Sequence, residues 1–225
     1  AGQLAPGTVT QGYVVFLGGS PIGRDDITVE RTAEGLTITG RERLGAPLNV
    51  AIEAAEVRYL ADWTPVSLGL TGQLRGKSIV MTVGFDGTTA NVETNDGGAT
   101  SAKVDKVSPK TVVTPNLFFG AYEALAQRLL TAPAGASLYV YVAPQADLPI
   151  RVVQVESDRV QTGRSVLTLR RSTIAMPGPG GELMMQITSD EAGHLVRLTV
   201  PVQGLDIVRE DVAASSSRML THSNP

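Results

Sequence analysis

The stretch "FLGGSPIGRDDITVER", residues 16–31, decides the fold, because its glycines admit two opposite readings. A phosphate-binding loop places GxxxxGK[ST] ahead of a helix whose free N–H groups hold the anion, and it belongs to an α/β sheet. Gly18 and Gly23 meet the glycine spacing, but Arg24 stands in the lysine position and Asp25 in that of the hydroxyl residue. Asp26 adds a second carboxylate, and two such charges at the loop exit repel a phosphate. The next residues, "ITVER", alternate apolar and polar side chains as a strand does. The stretch therefore reads as a hairpin joining "YVVFL" to "DITVER", with glycines supplying positive φ and Pro21 fixing a turn.

Outward from this hairpin the period of two persists. "GLTITG" pairs Leu36 with Ile38, and "LNVAIEAAEVRYL" continues with Val50 and Ile52. "KSIVMTVGFDG" sets Ile79, Met81, Val83 and Phe85 on one face before a turn at Asp86-Gly87. Later strands read as "SLYVYVA", "PIRVVQVES", "SVLTLRRSTI", "ELMMQITSD" and "HLVRLTVPV", the last two joined by the polar loop "DEAG", residues 190–193. The helices that parallel βαβ units require are missing from this pattern, so an antiparallel meander is expected.

One segment departs from it. "TPNLFFGAYEALAQRLLTAPAG" carries Phe118, Tyr122, Leu125 and Leu129 at helical spacing. With Thr114 as cap, Pro115 at the first helical position and Pro133 beyond the end, the spacing predicts a helix over about 115–131, roughly four turns. The order is meander, helix, meander. An amphipathic stripe has to be buried, and a sheet face is the large partner on offer, so the helix is expected across the concave face of a curved sheet. Strand "SLYVYVA" is apolar on both sides and is expected to be covered on both.

The chain has 225 residues, 42% hydrophobic and 18% charged, enough to bury a sizeable core. We read residues 1–212 as a single domain and 213–225, "AASSSRMLTHSNP", as a flexible tail or linker. A net charge of −3 with mixed signs gives no basic stripe for nucleic acid. The absence of cysteine excludes disulfides, thiol catalysis and cysteine zinc sites. The longest uncharged run, Leu129 to Ala146, is interrupted by Pro133, Gly135 and Pro144, so no membrane span is expected.

Chemistry is sparse in the sequence. No GxSxG elbow occurs, and of the two histidines His194 opens a strand at the surface while His222 lies in the tail. Neither is placed as a general base. Asp25-Asp26 and "TNDGG", residues 94–98, lack the alternating oxygen ligands of a calcium loop and read as turns. No metal and no cofactor is expected. Glu53 and Glu56, three apart, should point to opposite faces of a strand, and Asp206 with Asp211 is a second such chance pair. The remaining candidates for ligand contact are Phe118, Tyr122 and Leu125 on the helix and Tyr139 and Tyr141 on one strand face. In a packed core the same residues would simply fill space.

Three segments, "YVVFLGGSPIGRDDITVER", "DWTPVSLGL" and "GHLVRLTVPVQGLDIVRE", resemble a broad group of poorly characterised bacterial envelope proteins. The resemblance implies a strongly curved antiparallel sheet opened by a hairpin with G-x-x-x-G at its turn. Such a sheet is similar to the unclosed barrel of periplasmic lipoprotein carriers, whose apolar concave face is partly covered by a helix. The same segments look like the region ahead of the catalytic domain in some secreted bacterial α/β-hydrolases, where a serine-rich joint like "AASSSR" leads onward. It implies a periplasmic or secreted chain that is itself no enzyme: an accessory module with a covalently linked hydrolase domain as partner. The alternative is a periplasmic binding protein for a lipid or other apolar ligand in the concave face. No catalytic residue carries over.

Overall fold

The computed structural model describes residues 6–162, 165–178 and 180–214. The alternation seen in the sequence becomes an inner and an outer face: in β2 (Ser20–Arg31) Asp25, Ile27 and Val29 are buried while their neighbours reach outward. β1 (Gly7–Leu17) joins it through Gly18 and Gly19 alone, at φ of 58° and 82°. Two successive positive φ values make a type I′ hairpin, whose twist matches the strands it joins. The hairpin expected from residues 16–31 is present, but its loop is shorter than expected. Pro21 lies within β2 opposite Phe16, and the strand absorbs an extra residue at Ile22 as a bulge.

The meander continues through β3 (Gly35–Leu44), β4 (Val50–Leu60), β5 (Pro65–Leu74), β6 (Lys77–Asp86), β7 (Thr89–Asp96) and β8 (Ala99–Lys106). After the short β9 (Val112–Val113) comes the helical segment, a 3-10 turn at Phe119–Ala121 and then α1 (Tyr122–Leu129). A second meander comes next: β10 (Ser137–Val142), β11 (Ala146–Thr162), β12 (Ser165–Gly178), β13 (Gly181–Asp190), β14 (Leu195–Val200) and β15 (Leu205–Arg209). The fifteen strands among the described residues form one sheet in which β1 pairs with β15, so the first and last of them lie at its centre. Its edges are β8 and β9. Every pairing is antiparallel except that of β9 with β10.

The sheet does not close by hydrogen bonds, yet its edges are near each other. Only residues 107–111 separate β8 from β9, and five residues span at most about 20 Å. Side chains cross the gap. Tyr141 on β10 donates its hydroxyl to Asp105 of β8 at 2.6 Å. Asp147 on β11 accepts from the Ser108 amide at 2.7 Å and the Thr111 hydroxyl at 2.6 Å. The result is a barrel with one seam held by side chains instead of a backbone ladder.

The helical segment fills this barrel. It touches β2 and β3 on one side and β13, β14 and β9 on the other. Phe118, Ala121, Ala124, Leu125, Ala126 and Leu129 are buried in one continuous core with residues from both meanders. The helix is shorter than the expected 115–131. The reason is upstream: Val112 and Val113 pair with Val140 and Tyr141, and the Thr114 amide donates to the Tyr141 carbonyl, tying that stretch to the sheet. Thr114 and Pro115 therefore neither cap nor start the helix. At the other end Arg170 donates to the carbonyls of Leu129 at 3.2 Å and Ala132 at 2.6 Å, a cation on the negative end of the helix.

"SLYVYVA" is covered on both faces only toward its end, where Val140 and Tyr141 are buried; Ser137 and Tyr139 face solvent. Residues 210–214 form a helical turn, so Ala213 and Ala214 extend ordered structure past the expected boundary at 212. The rest of the expected tail lies outside the described residues. Among those described, no helix is long and apolar enough to cross a membrane.

Candidate functional site

The most organised polar cluster joins α1 to the start of β14. Glu123, in the first turn of α1, is fully buried among apolar neighbours, where an unpartnered carboxylate would be costly. Three donors satisfy it. Gln127, one turn on, donates Nε2 to Oε1 at 2.8 Å, and the Leu195 amide donates to Oε2 at 2.7 Å. His194 Nδ1 lies 2.7 Å from Oε1. The loop 190–193 presents that histidine: Asp190 Oδ1 accepts from the His194 amide at 2.9 Å and the Asp190 amide donates to the His194 carbonyl. An extra residue at Val196 interrupts the alternation, with Leu195 buried in the main core and Val196 in a separate, smaller cluster with Leu169, Val208 and Val212.

His194 is thus not the surface residue that its position after a hairpin suggests; its side chain is 19% exposed. The bond to Glu123 raises its pKa, burial pulls the other way, and the nearby charges of Glu123 and Asp190 raise it further while Arg209 lowers it. Tyr13 sits beside the cluster, its hydroxyl bonded to the Leu195 carbonyl at 2.9 Å and to Gln11. Burial first, and Glu123 second, push its phenol well above the ordinary range. Arg31 donates to the Gln127 side-chain carbonyl and lies over the Trp63 ring, 5.2 Å from its centroid.

Chemically, a carboxylate that fixes an imidazole is part of a hydrolytic relay. The third part, a hydroxyl held by the imidazole, is not bonded to His194 among the described residues. Sequence reasoning missed Glu123 because its helical position reads as the solvent side of an amphipathic stripe. The one signal available was the run of alanines at 121, 124 and 126, which narrows the helix enough to be enclosed all round.

The residues expected to touch a ligand are divided by the fold. Phe118, Leu125 and Tyr141 are fully buried core residues, and Tyr122 packs partly buried against them. Tyr139, two residues before Tyr141 on the same regular strand, is 44% exposed. Tyr141 is packed edge-on against Phe85 at 5.9 Å. These residues do not form a joint ligand surface.

Glu53 and Glu56 do not point to opposite faces. A bulge at Glu53 in β4 shifts the alternation, so both line one groove of about 700 Å³ on the outer face, together with Asp26, Arg41 and Thr71. Asp206 is held by Arg197 at 2.6 Å, and Asp211 by Arg209 at 2.8 Å. Gly97 and Gly98 form the turn expected in "TNDGG". No cluster of three or more metal-ligating side chains occurs among the described residues.

Comparison with known proteins places the architecture. Among solved structures, the chain is similar to a β-barrel-like protein of a domain of unknown function, DUF1849, from Brucella abortus. The TM-score is 0.53 at 11% identity, over 93% of this chain and 96% of that one. The likeness is one of fold. It extends over both meanders and the helix between them. No family model and no curated protein matches the chain.

Proposed function

We propose that this chain is a non-catalytic accessory β-module of the bacterial envelope, of the kind that precedes a secreted hydrolase domain. The observation that carries the reading is the use to which the Glu123–His194 pair is put. Glu123 spends both oxygens on Gln127, His194 and the Leu195 amide, joining α1 to β14. These are the contacts of a structural brace. The alternative, an apolar ligand in the concave face, requires Phe118, Leu125 and Tyr141 to leave a core in which they are fully buried.

Purified chain incubated with p-nitrophenyl esters, casein and p-nitrophenyl glycosides is expected to give the same rate as the His194→Ala variant. Ester turnover that is abolished by His194→Ala would overturn the reading. The linked domain is checked on the gene: a GxSxG-bearing domain is expected to be encoded beyond Pro225.

A further inference from the structure

Beside the Glu123–His194 brace lies a recess of about 300 Å³ that the brace itself does not use. Val9, Val29 and Ala192 give it apolar walls, and Arg31, Gln127 and His194 give it polar ones. The charges in this corner do not balance. Glu123 is the acceptor for His194 Nδ1, which leaves that ring's Nε2 as the remaining polar atom. Arg31 has no carboxylate within ion-pairing distance among the described residues. Its guanidinium is instead steadied by Trp63 and by the Gln127 carbonyl, two uncharged partners. A guanidinium has five N–H donors, so several remain for a ligand. Burial lowers the Arg31 pKa from its ordinary value, in keeping with a cation short of counter-charge, and Glu123 opposes the shift.

An anion suits the polar wall, an apolar tail suits the other, and the volume is at the small end for ligand sites. We propose that this recess binds a monocarboxylate with a short apolar tail, its carboxylate set between Arg31 and His194. Arg31 is positioned to present a fork of donors to a planar carboxylate, and His194, fixed by Glu123, adds one donor when protonated. Inorganic phosphate offers the charge but leaves the apolar walls empty. An aliphatic alcohol fills the walls but leaves Arg31 without counter-charge.

Trp63 is the single tryptophan of the chain and lies against Arg31, so its fluorescence reports on the site directly. The test titrates the full chain at pH 6.5 with octanoate, octanol and inorganic phosphate, followed by Trp63 fluorescence and by calorimetry. Octanoate is expected to saturate and to bind at least tenfold more tightly than either other probe. Arg31→Met, which keeps the apolar stem, should weaken octanoate at least tenfold. Val9→Asp, at a partly exposed position on the recess wall, should do the same by charge repulsion and does not disturb the brace. Tyr139→Ser, at an exposed position of β10 outside the recess, should bind as the parent does. Equal affinity for octanol or phosphate, no saturable octanoate binding, or undiminished binding by folded Val9→Asp would overturn the proposal.

Discussion

Asp25 and Glu42 face each other directly across β2 and β3, and both carboxyl groups are shut off from solvent. They lie beneath the 3-10 turn, whose Phe119 amide donates to Glu42 Oε2 at 3.0 Å. Burial is the main force on both. It raises the Asp25 pKa to about 8, with the Gly120 amide opposing and Asp26 adding to the rise. Glu42 is raised well above its ordinary value by burial and by Asp25, with the Phe119 amide opposing. Two opposed acids in one apolar space cannot both ionise cheaply.

The pair gives stability a pH dependence of definite sign. An unfolded aspartate releases its proton near pH 3.9, whereas Asp25 in the fold keeps it to about 8. Between those values the native state binds more protons, so stability falls as pH rises toward about 8. Urea unfolding at pH 5, 6, 7 and 8 is expected to show this fall, on the order of several kcal/mol in total. Asp25→Asn should flatten it and raise stability at pH 8. A parent protein more stable at pH 8 than at pH 5 would contradict the assignment.

The seam predicts where the barrel opens first. Asp147 holds the β8–β9 linker through Ser108 and Thr111, while β8 itself buries almost nothing. Asp147→Ala should cost about 1–3 kcal/mol, because it leaves the Ser108 amide without its acceptor. Amide exchange over residues 99–106 should quicken well before that of β1 and β2, which lie at the centre of the sheet. Equal acceleration in both regions would show that the seam has no separate opening.

Most strands were legible because one face is buried and the other is not, so the period of two survives in residues such as Ile79, Met81 and Val83, whereas β8, with almost nothing buried, carries no such signal. The position of the helix inside a curved sheet was legible for the same reason, since its stripe needed a partner. Local alternation could not reveal the bulges. One extra residue at Glu53 reverses the face of everything beyond it, and nothing in "AIEAAEV" distinguishes that from a regular strand. The brace was hidden by distance: Glu123 and His194 are far apart in the chain and meet only because β14 packs on α1. Asp25 and Glu42 were hidden more thoroughly. Asp25 has the parity of Ile27 and Val29, but a carboxylate beside a turn reads as outward, and its burial together with its opposite number Glu42 appears only in the fold.

The seating of the helical plug supplies the sharpest test of how the interior is used. Gly120 is in contact with the sheet so closely that a Cβ there would lie 2.2 Å from Ile27 Cγ2 and 2.7 Å from Phe118 Cζ. The Phe118 ring in turn fills the space over Gly40, where a Cβ would approach Phe118 Cζ to 2.8 Å. Three elements are therefore in contact around one ring, and none can move alone. Gly120→Ala should cost about 1–3 kcal/mol through overpacking. Leu125→Ala, at a fully buried position, should cost about 2–5 kcal/mol. Neither change removes a polar group, so both should lower the unfolding midpoint at pH 6 and pH 8 by similar amounts. Were the plug instead a lid over an apolar groove, Leu125→Ala would cost under about 1 kcal/mol and would weaken binding of an uncharged apolar dye such as Nile red. A stability loss above about 2 kcal/mol with no dye binding by the parent protein is the outcome expected of a filled barrel.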